Sequence, residues 1–166
     1  MAAFEYRQAQ EIQRAFAAHG VRYLFLGKSG AILLGYPDTT QDADLYVDKQ
    51  RDNCSAVVPA LHELGFELSG AEDEEIRRGK DFIQLKNGPF DLDLIFAPDG
   101  IERFEDAWSR RIDEEGFPVC NLDDIIASKR AANRQKDRES LGRLEAFRDY
   151  LRRRAGLRFS PQEPRS

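Results

Sequence analysis

The sequence predicts an α/β (α+β) fold, in which a small mixed β-sheet is flanked by helices and followed by a helical C-terminal part. Three observations lead to this prediction. Helix-like and strand-like patterns of apolar residues alternate from the N-terminus to Gly65. Asn87-Gly88 separates two β-prone runs, and a long helical pattern follows Asn121. Segments that alternate in this way fold into helices packed on a sheet.

In the first half of the chain, glycines mark the ends of the two long helices. From the N-terminus, the predicted elements are a helix over 3–19, a strand over 21–26, a glycine-rich turn over 27–30, a short helix over 31–34, a loop over 36–40, a strand over 43–47, a helix over 52–64 and an exposed acidic loop over 71–75. The long helices end at Gly20 and Gly65, because glycine readily takes the left-handed conformation that closes a helix.

In the second half, a hairpin precedes the helical region. Strands are predicted over 82–86 and 90–96, a helix over 100–109, an extended segment over 117–120, and helix from 121 to about 154 with a break near Asn133. Asn-Gly between β-prone runs is typical of a hairpin. Asn121 is expected to cap the long helix, with Asp124 completing a capping box.

Length and composition predict a single domain over residues 1–158, with a core over 20–120, C-terminal helices over 121–154 and a disordered tail over 159–166. The chain has 166 residues, of which 41% are hydrophobic, so it can bury a core. No apolar run approaches the roughly 20 residues of a membrane span, and the polar N-terminus predicts no signal peptide. With two cysteines and two histidines, we expect a reduced cytoplasmic protein without a structural zinc site or a membrane partner.

The net charge of −5 is unevenly distributed. Residues 1–127 contain 13 Lys and Arg against 25 Asp and Glu, whereas residues 128–158 contain 11 against 4. The basic segment has two interpretations that the sequence leaves open. It is either a set of solvated helix faces that balance the acidic body, or a cationic wall for a polyanion such as a triphosphate or RNA.

Two strand-like segments carry the same acidic stripe. Asp42 and Asp44 share one face of the first strand, and Asp91 and Asp93 share one face of the second, because residues two apart in a strand point the same way. Asp48 lies further along the first stripe. If the strands are neighbours, about four carboxylates gather on one face of the sheet.

Such a carboxylate cluster needs a partner, because like charges on adjacent strands repel one another. Protonation, arginine partners or metal ions would each relieve the repulsion. Mg²⁺ prefers carboxylate oxygens, and two such ions can clamp the oxygens of a phosphoryl or nucleotidyl transfer. The alternative is an ordinary half-exposed sheet with an acidic outer face.

A glycine-rich turn, Gly27-Lys28-Ser29-Gly30, follows the first strand and precedes a helix. Backbone amides in such a turn form a phosphate cradle, to which Ser29 adds a hydroxyl and Lys28 a charge. The turn is not a Walker A sequence. Glycine is also common in any tight strand-to-helix turn.

The segment from Leu26 to Asp44 resembles the signature of the nucleotidyltransferase superfamily, a glycine-rich turn followed by two aspartates two residues apart. It is most similar to small bacterial members with the pattern GGxAxxxHGxxRxTxDxD, in which Thr40, Asp42 and Asp44 match. The chain departs from that pattern in four places, which are Lys28 for Gly, Gly30 for Ala, Leu34 for His and Asp38 for Arg.

Residues 122–137 resemble a second pattern, LxDLIxxKxxAxRxKD, which also occurs loosely in abortive-infection type nucleotidyltransferase toxins. The two resemblances imply a nucleotidyltransferase fold with two Mg²⁺ ions and a nucleoside triphosphate as substrate. The implied catalytic residues are Asp42, Asp44, Asp93 and Asp137; the implied metal ligands are Asp42, Asp44, Asp93 and, as a fallback, Asp91; the implied nucleotide-binding residues are Gly27, Lys28, Ser29, Thr40 and Lys129.

The expected function is Mg²⁺-dependent transfer of a nucleoside monophosphate to an acceptor hydroxyl on a small molecule, a protein or a tRNA. One alternative is a non-catalytic nucleotide-binding protein of the same fold, which Lys28 in the glycine-rich turn favours. Another is a component of a toxin–antitoxin module with a partner protein. Tyr36 lies near the expected site, where it either packs in the core or stacks on a base.

Overall fold

The computed structural model describes residues 4–159 of the chain. Within them it forms seven helices and six strands, which confirms the α+β class. The elements are α1 (Tyr6–Ala18), β1 (Tyr23–Leu26), α2 (Gly27–Leu33), β2 (Asp42–Val47), α3 (Arg51–Leu64), α4 (Gly70–Arg78), β3 (Phe82–Leu85), β4 (Asp91–Ile95), α5 (Phe104–Ser109), β5 (Ile112–Glu114), β6 (Phe117–Val119), α6 (Leu122–Ala132) and α7 (Gln135–Phe159). No helix among these residues is long and apolar enough to cross a membrane.

The six strands form one mixed sheet in the order β3-β4-β2-β1-β6-β5. β2 runs parallel to β4 and β1 runs parallel to β6, while the other neighbours are antiparallel. In the β2–β4 pair, Asp42 lies opposite Asp91 and Asp44 lies opposite Asp93. The two acidic stripes are therefore adjacent and in register on one face of the sheet.

Each face of the sheet packs against a separate apolar core. Residues such as Ala43, Leu45 and Leu92 join α1, α3 and α4 on one face. Tyr46 joins Ile125 and the helices α5, α6 and α7 on the other. The acidic stripes share this second face, so the carboxylates stand at the edge of a helix-covered surface and not on an open one.

The acidic segment over 71–75 lies in helix α4, so the predicted loop is wrong. Ser69 and Glu72 form a capping box, in which Glu72 N donates to Ser69 Oγ at 3.1 Å and Ser69 N donates to Glu72 Oε1 at 2.9 Å. Ile76 is buried, and Gly79 closes the helix in the left-handed conformation at φ 70°. Acidic residues in a first turn favour helix, since they face the positive end of its dipole.

Two further boundaries differ from the prediction. The glycine-rich segment is the first turn of α2, which begins at Gly27. The helix predicted over 100–109 begins only at Phe104, after Arg103, whose backbone is extended at φ −137° and ψ 140°. The short edge strand β5 was not predicted; it pairs with β6 through a turn whose Glu115 and Gly116 both have positive φ, as two-residue hairpin turns require.

The C-terminal helices follow the prediction with two exceptions. Asn121 Oδ1 accepts from Asp124 N at 2.7 Å, and Asn133 ends α6 at φ 50°. Asp124 does not complete a capping box, because its carboxylate accepts from Arg110 at 3.1 and 3.0 Å. Helix α7 continues beyond the predicted end to Phe159, so the first residue of the tail predicted over 159–166 is helical. Residues 160–166 lie outside the described residues.

Candidate functional site

A cleft of about 190 Å³ opens where the start of α2, the β2–β4 pair and the α6–α7 junction meet. Seven of the predicted site residues line it, namely Gly27, Lys28, Thr40, Asp42, Asp44, Asp93 and Lys129. Three predicted residues, Ser29, Asp91 and Asp137, do not line it. The geometry therefore assembles most of the predicted set from four separate elements.

Asp44 and Asp93 form the acidic centre of the cleft. Burial, followed by the charge of Asp93, holds the pKa of Asp44 well above its usual value. Burial also raises the pKa of Asp93. Asp93 is 8% exposed, and its Oδ1 has no hydrogen-bond partner among the described residues. An unpartnered buried carboxylate oxygen is costly, so the pair favours a proton or a cation.

Gly27 allows the backbone to lie directly against the Asp44 carboxylate. Its φ is 61°, and a Cβ at this position would overlap Asp44 Oδ2 and lie 2.9 Å from Asp44 Cγ. Any other residue would be both strained and in collision with the carboxylate. Gly27 thus fixes where Asp44 stands.

Ser29 supports the cleft from beneath. It is fully buried, its hydroxyl donates to Leu26 O at 2.9 Å, and it accepts from Asp44 N at 3.0 Å. The phosphate contact expected of Ser29 does not fit this geometry, because both its donor and an acceptor position are used inside the fold. Ser29 instead positions the backbone of Asp44.

Lys28 is paired within the protein. Its Nζ lies 3.2 Å from Asp38 Oδ2, and Arg143 of α7 approaches the same oxygen at 3.7 Å. Lys28 and Asp38 are two of the four departures from the resembled pattern, so these two departures neutralise each other. Tyr36 is buried and packs against Phe147, which favours the packing role over base stacking.

Lys129 and Asp137 lie close together at the junction between α6 and α7. Lys129 Nζ lies 3.5 Å from Asp137 Oδ1, and Arg134 Nε donates to Asp137 Oδ2 at 2.7 Å. Burial lowers the pKa of Lys129, which Asp137 and Asp44 partly oppose. Burial alone would raise the pKa of Asp137, but Arg134 and Lys129 hold it below its usual value.

Asp137 is fully buried and does not reach the cleft. Its observed contacts place it behind Lys129, and the catalytic contact that the resemblance implies for it stays a prediction. Asp91 is half-buried and also lies outside the cleft, so the geometry favours Asp93 as the third carboxylate. Asp48 is buried beside Arg22 at 3.0 Å, far along β2 from the cleft.

Several lining residues were not predicted from the sequence. They are Leu26, Phe82, Ile95, Ile125, Ser128, Arg134, Lys136 and Ser140. The sequence could have indicated Lys136, since this residue falls within the resembled pattern over 122–137. It could also have indicated Phe82, since this residue alternates with the inward-facing Ile83 and Leu85 and so must face away from their core.

The carboxylates supply only part of the ligands that Mg²⁺ needs, as is usual for that ion in proteins. No three Asp, Glu, His or Cys side chains within residues 4–159 form a preassembled metal group. Mg²⁺, however, is usually held by one or two carboxylates together with water and substrate phosphates. The unpartnered Oδ1 of Asp93 and the raised pKa of Asp44 and Asp93 suit a cation that arrives with a phosphate ligand.

Comparison with known proteins adds no relative to these findings. No protein-family model matches the chain, and a search of the curated proteins gives no match. The chemistry of the cleft is therefore inferred from its own residues.

Proposed function

We propose that the protein is a Mg²⁺-dependent nucleotidyltransferase that moves a nucleoside monophosphate from a nucleoside triphosphate to an acceptor hydroxyl, forming a phosphodiester and releasing pyrophosphate. One observation carries the proposal. The parallel β2–β4 register sets Asp44 beside Asp93 in a cleft that Lys28, Lys129 and Lys136 also line. Carboxylates for a cation and lysines for phosphates are the two components that such a transfer requires. The resemblance of residues 26–44 and 122–137 to nucleotidyltransferase patterns supports it.

Asp42, Asp44 and Asp93 are the residues that would hold Mg²⁺. The bound ion would supply charge neutralisation at the reacting phosphate. Gly27 holds the Asp44 carboxylate in place, and the Ser29 hydroxyl holds its backbone. Asp93 lines the cleft, and its carboxylate would accept the proton of the attacking hydroxyl.

Lys129 and Lys136 supply positive charge on the wall opposite the sheet. The positive charge of Lys129 acts to lower the pKa of Asp44, and that of Lys136 acts to lower the pKa of Asp93. Asp137 keeps Lys129 in place at 3.5 Å. Phosphate oxygens held between these lysines and the carboxylates would lie over the centre of the cleft.

Calorimetry with ATP and Mg²⁺ tests the binding half of the proposal. The wild type is expected to bind, and the double variant Asp42→Ala, Asp44→Ala is expected to lose binding. Asp91→Asn is the matched control, since Asp91 shares the same strand pair but lies outside the cleft. No binding by the wild type, or equal binding by the double variant, would contradict the proposal.

A non-catalytic nucleotide-binding protein is the second candidate, and the Lys28–Asp38 ion pair favours it. The pair engages a cation beside the cleft that would otherwise be free to contact phosphate. Incubation of the protein with α-labelled nucleoside triphosphates, Mg²⁺ and a cell lysate separates the two candidates. Label on any acceptor supports transfer, whereas binding by calorimetry without label on an acceptor supports the second candidate.

A further inference from the structure

A second cavity adjoins the cleft on the side of strand β3. Its volume is about 260 Å³, and it shares Phe82, Ile95, Ser128 and Arg134 with the cleft. The two cavities are therefore continuous at the wall formed by these residues. The second one extends past the end of β4 to Ala97, Pro98 and Asp99.

The two cavities differ in the cations that line them. In the cleft, Lys28, Lys129 and Lys136 accompany the carboxylates, and none of these lysines lines the second cavity. Asp81 and Asp99 line the second cavity, where Asp81 lies 3.6 Å from Lys49 Nζ and Arg134 is bound to Asp137. Asp99 is exposed and has no ion pair among the described residues. An anionic group is therefore favoured in the cleft and disfavoured beside it.

Phe82 gives the second cavity an exposed aromatic surface. It is 46% exposed on the edge strand β3 and lies opposite Ile95 in the β3–β4 register. On the same face, Ile95 is two residues from Asp93 along β4, which brings the ring close to the carboxylate centre. A half-exposed aromatic side chain at the mouth of a pocket is suited to stacking on a flat ligand.

The order of groups across the sheet indicates which ligand lies here. Lys28 follows β1, the Asp42–Asp44 pair is on β2, Asp93 is on β4 and Phe82 is on β3. In an in-line transfer the attacking hydroxyl and the leaving phosphates lie on opposite sides of the reacting phosphorus. With the leaving phosphates held by Lys129 on the Asp44 side, the attacking hydroxyl would come from the Phe82 side.

We propose that this second cavity binds the acceptor, and that the acceptor is a small hydroxyl compound with a flat ring and no anionic group, stacked on Phe82. The assignment to the acceptor rests on the proposed nucleotidyl transfer. The cavity accepts a ring between Phe82, Ile95 and Pro98, and the Asp99 carboxylate favours a cationic substituent. A nucleic-acid end is disfavoured, because its phosphates would face Asp81 and Asp99.

Ligand-observed NMR titration tests the cavity without any nucleotide. The probes are para-hydroxymethyl benzylamine and para-hydroxymethyl benzoate, which share the ring and hydroxyl but differ in charge. The benzylamine is expected to bind the wild type more tightly than the benzoate. Its affinity should fall about three- to tenfold in Phe82→Ala, as expected for loss of an aromatic contact, and should be retained in Phe82→Tyr. Asp99→Asn should reduce the ratio of the affinity for the benzylamine to the affinity for the benzoate.

Tyr150→Ala is the matched control, since Tyr150 is equally exposed at 46% but lies on α7 outside both cavities. Equal benzylamine binding by Phe82→Ala, tighter binding of the benzoate, or no binding of either probe at millimolar concentration would overturn the proposal. Calorimetry with ATP and Mg²⁺ on Phe82→Ala separates the two proposals. Retained nucleotide binding with lost probe binding supports the acceptor site, whereas a wild type that binds the probe but no nucleotide contradicts only the nucleotidyl transfer.

Label transfer completes the test. With α-labelled ATP and Mg²⁺, label is expected on the benzylamine and not on a short oligoribonucleotide with a free 3′ hydroxyl. Label on the oligoribonucleotide alone would show that the acceptor is a nucleic acid and would overturn the proposal.

Discussion

At the scale of single residues, the cleft depends on close contact between the backbone at Gly27 and the carboxylate of Asp44. The contact places a half-buried acid against a peptide unit in the left-handed conformation. The Ser29 hydroxyl holds the same residue by accepting a hydrogen bond from the backbone amide of Asp44. Glycine at 27 was predicted from the sequence as a phosphate-facing residue, but its contact with Asp44 depends on the packing of α2 against β2, which no local pattern contains.

Replacement of Gly27 by alanine is expected to disrupt the site. The new Cβ would collide with Asp44 in addition to the backbone strain at positive φ. Gly20→Ala is the control, because Gly20 has a similar φ of 66° but a Cβ there would meet nothing within 4 Å. The control should cost about 1–2 kcal/mol of unfolding free energy from strain alone. Denaturant unfolding should show a larger loss for Gly27→Ala, and equal losses would show that the collision is relieved.

The raised pKa of Asp44 gives stability a defined pH dependence without Mg²⁺. Because the folded pKa exceeds the unfolded one, the folded state keeps a proton that the unfolded state releases as pH rises past about 4. The stabilisation is complete below the unfolded pKa and is lost as pH rises through the folded pKa. Asparagine does not ionise, so Asp44→Asn does not lose stability in this way as pH rises. The variant should therefore unfold at a higher temperature than the wild type at pH 7.

Thermal unfolding at pH 4 and pH 7 checks this expectation. The midpoint of Asp44→Asn should exceed that of the wild type at pH 7, and the difference should shrink at pH 4. Equal differences at both pH values would show that the substitution acts through packing and not through the charge of Asp44.

At the scale of elements, the parallel pairing of β2 with β4 creates the acidic centre. The period-two pattern of both segments predicted which residues share a face, and the structure confirms this in the Asp42–Asp91 and Asp44–Asp93 register. The pattern did not predict α4 as a helix, since a run of acids looks like a loop unless Ser69 is recognised as its cap. It also did not predict β5, because three residues at a sheet edge carry too little pattern.

The junction of α6 and α7 depends on one buried carboxylate. Asp137 accepts from Arg134 N at 3.2 Å and from its guanidinium, and it also faces Lys129. Asp137→Ala is expected to lower the unfolding free energy by about 1.5–3 kcal/mol, the usual value for hydrogen bonds to a charged group. Glu139→Ala, an exposed acid two residues later on α7, is the control and should change it by less than about 0.5 kcal/mol.

Chemical denaturation of both variants measures these changes. A variant Asp137→Asn with unchanged stability but without label transfer would support the catalytic role that the sequence resemblance implies. A loss of stability in Asp137→Ala would support the positioning role that the buried geometry indicates.

At the scale of the whole molecule, several basic residues between 128 and 158 are paired with acids within the fold. Arg148 and Arg152 bind Asp123, Arg130 binds Glu145, and Arg134 binds Asp137. The sequence left internal charge balance and a polyanion-binding wall as alternatives, because the partners of these arginines are distant in the chain. The ion pairs favour internal balance for these arginines, while Lys136 and the partly engaged Lys129 remain beside the cleft.

This charge distribution predicts weak binding of RNA. A protein with net charge −5 and paired arginines neutralises few phosphates, so its affinity for a random-sequence RNA should be weaker than about 1 µM at physiological salt. Fluorescence anisotropy with a labelled RNA measures it. Tighter binding with a steep decrease as salt is added would show that the arginines exchange their protein partners for phosphates.

Because Lys28 and Asp38 form an ion pair, substitutions at these two positions are expected to be correlated in evolution. Both residues differ from the nucleotidyltransferase pattern that the sequence resembles, which has Gly at the first position and Arg at the second. A change at the first position alone would set two cations side by side, and a change at the second alone would leave an acid without its lysine partner. Descendants of a common ancestor are therefore expected to carry both substitutions or neither. The pair is a signature by which further relatives of this protein can be distinguished.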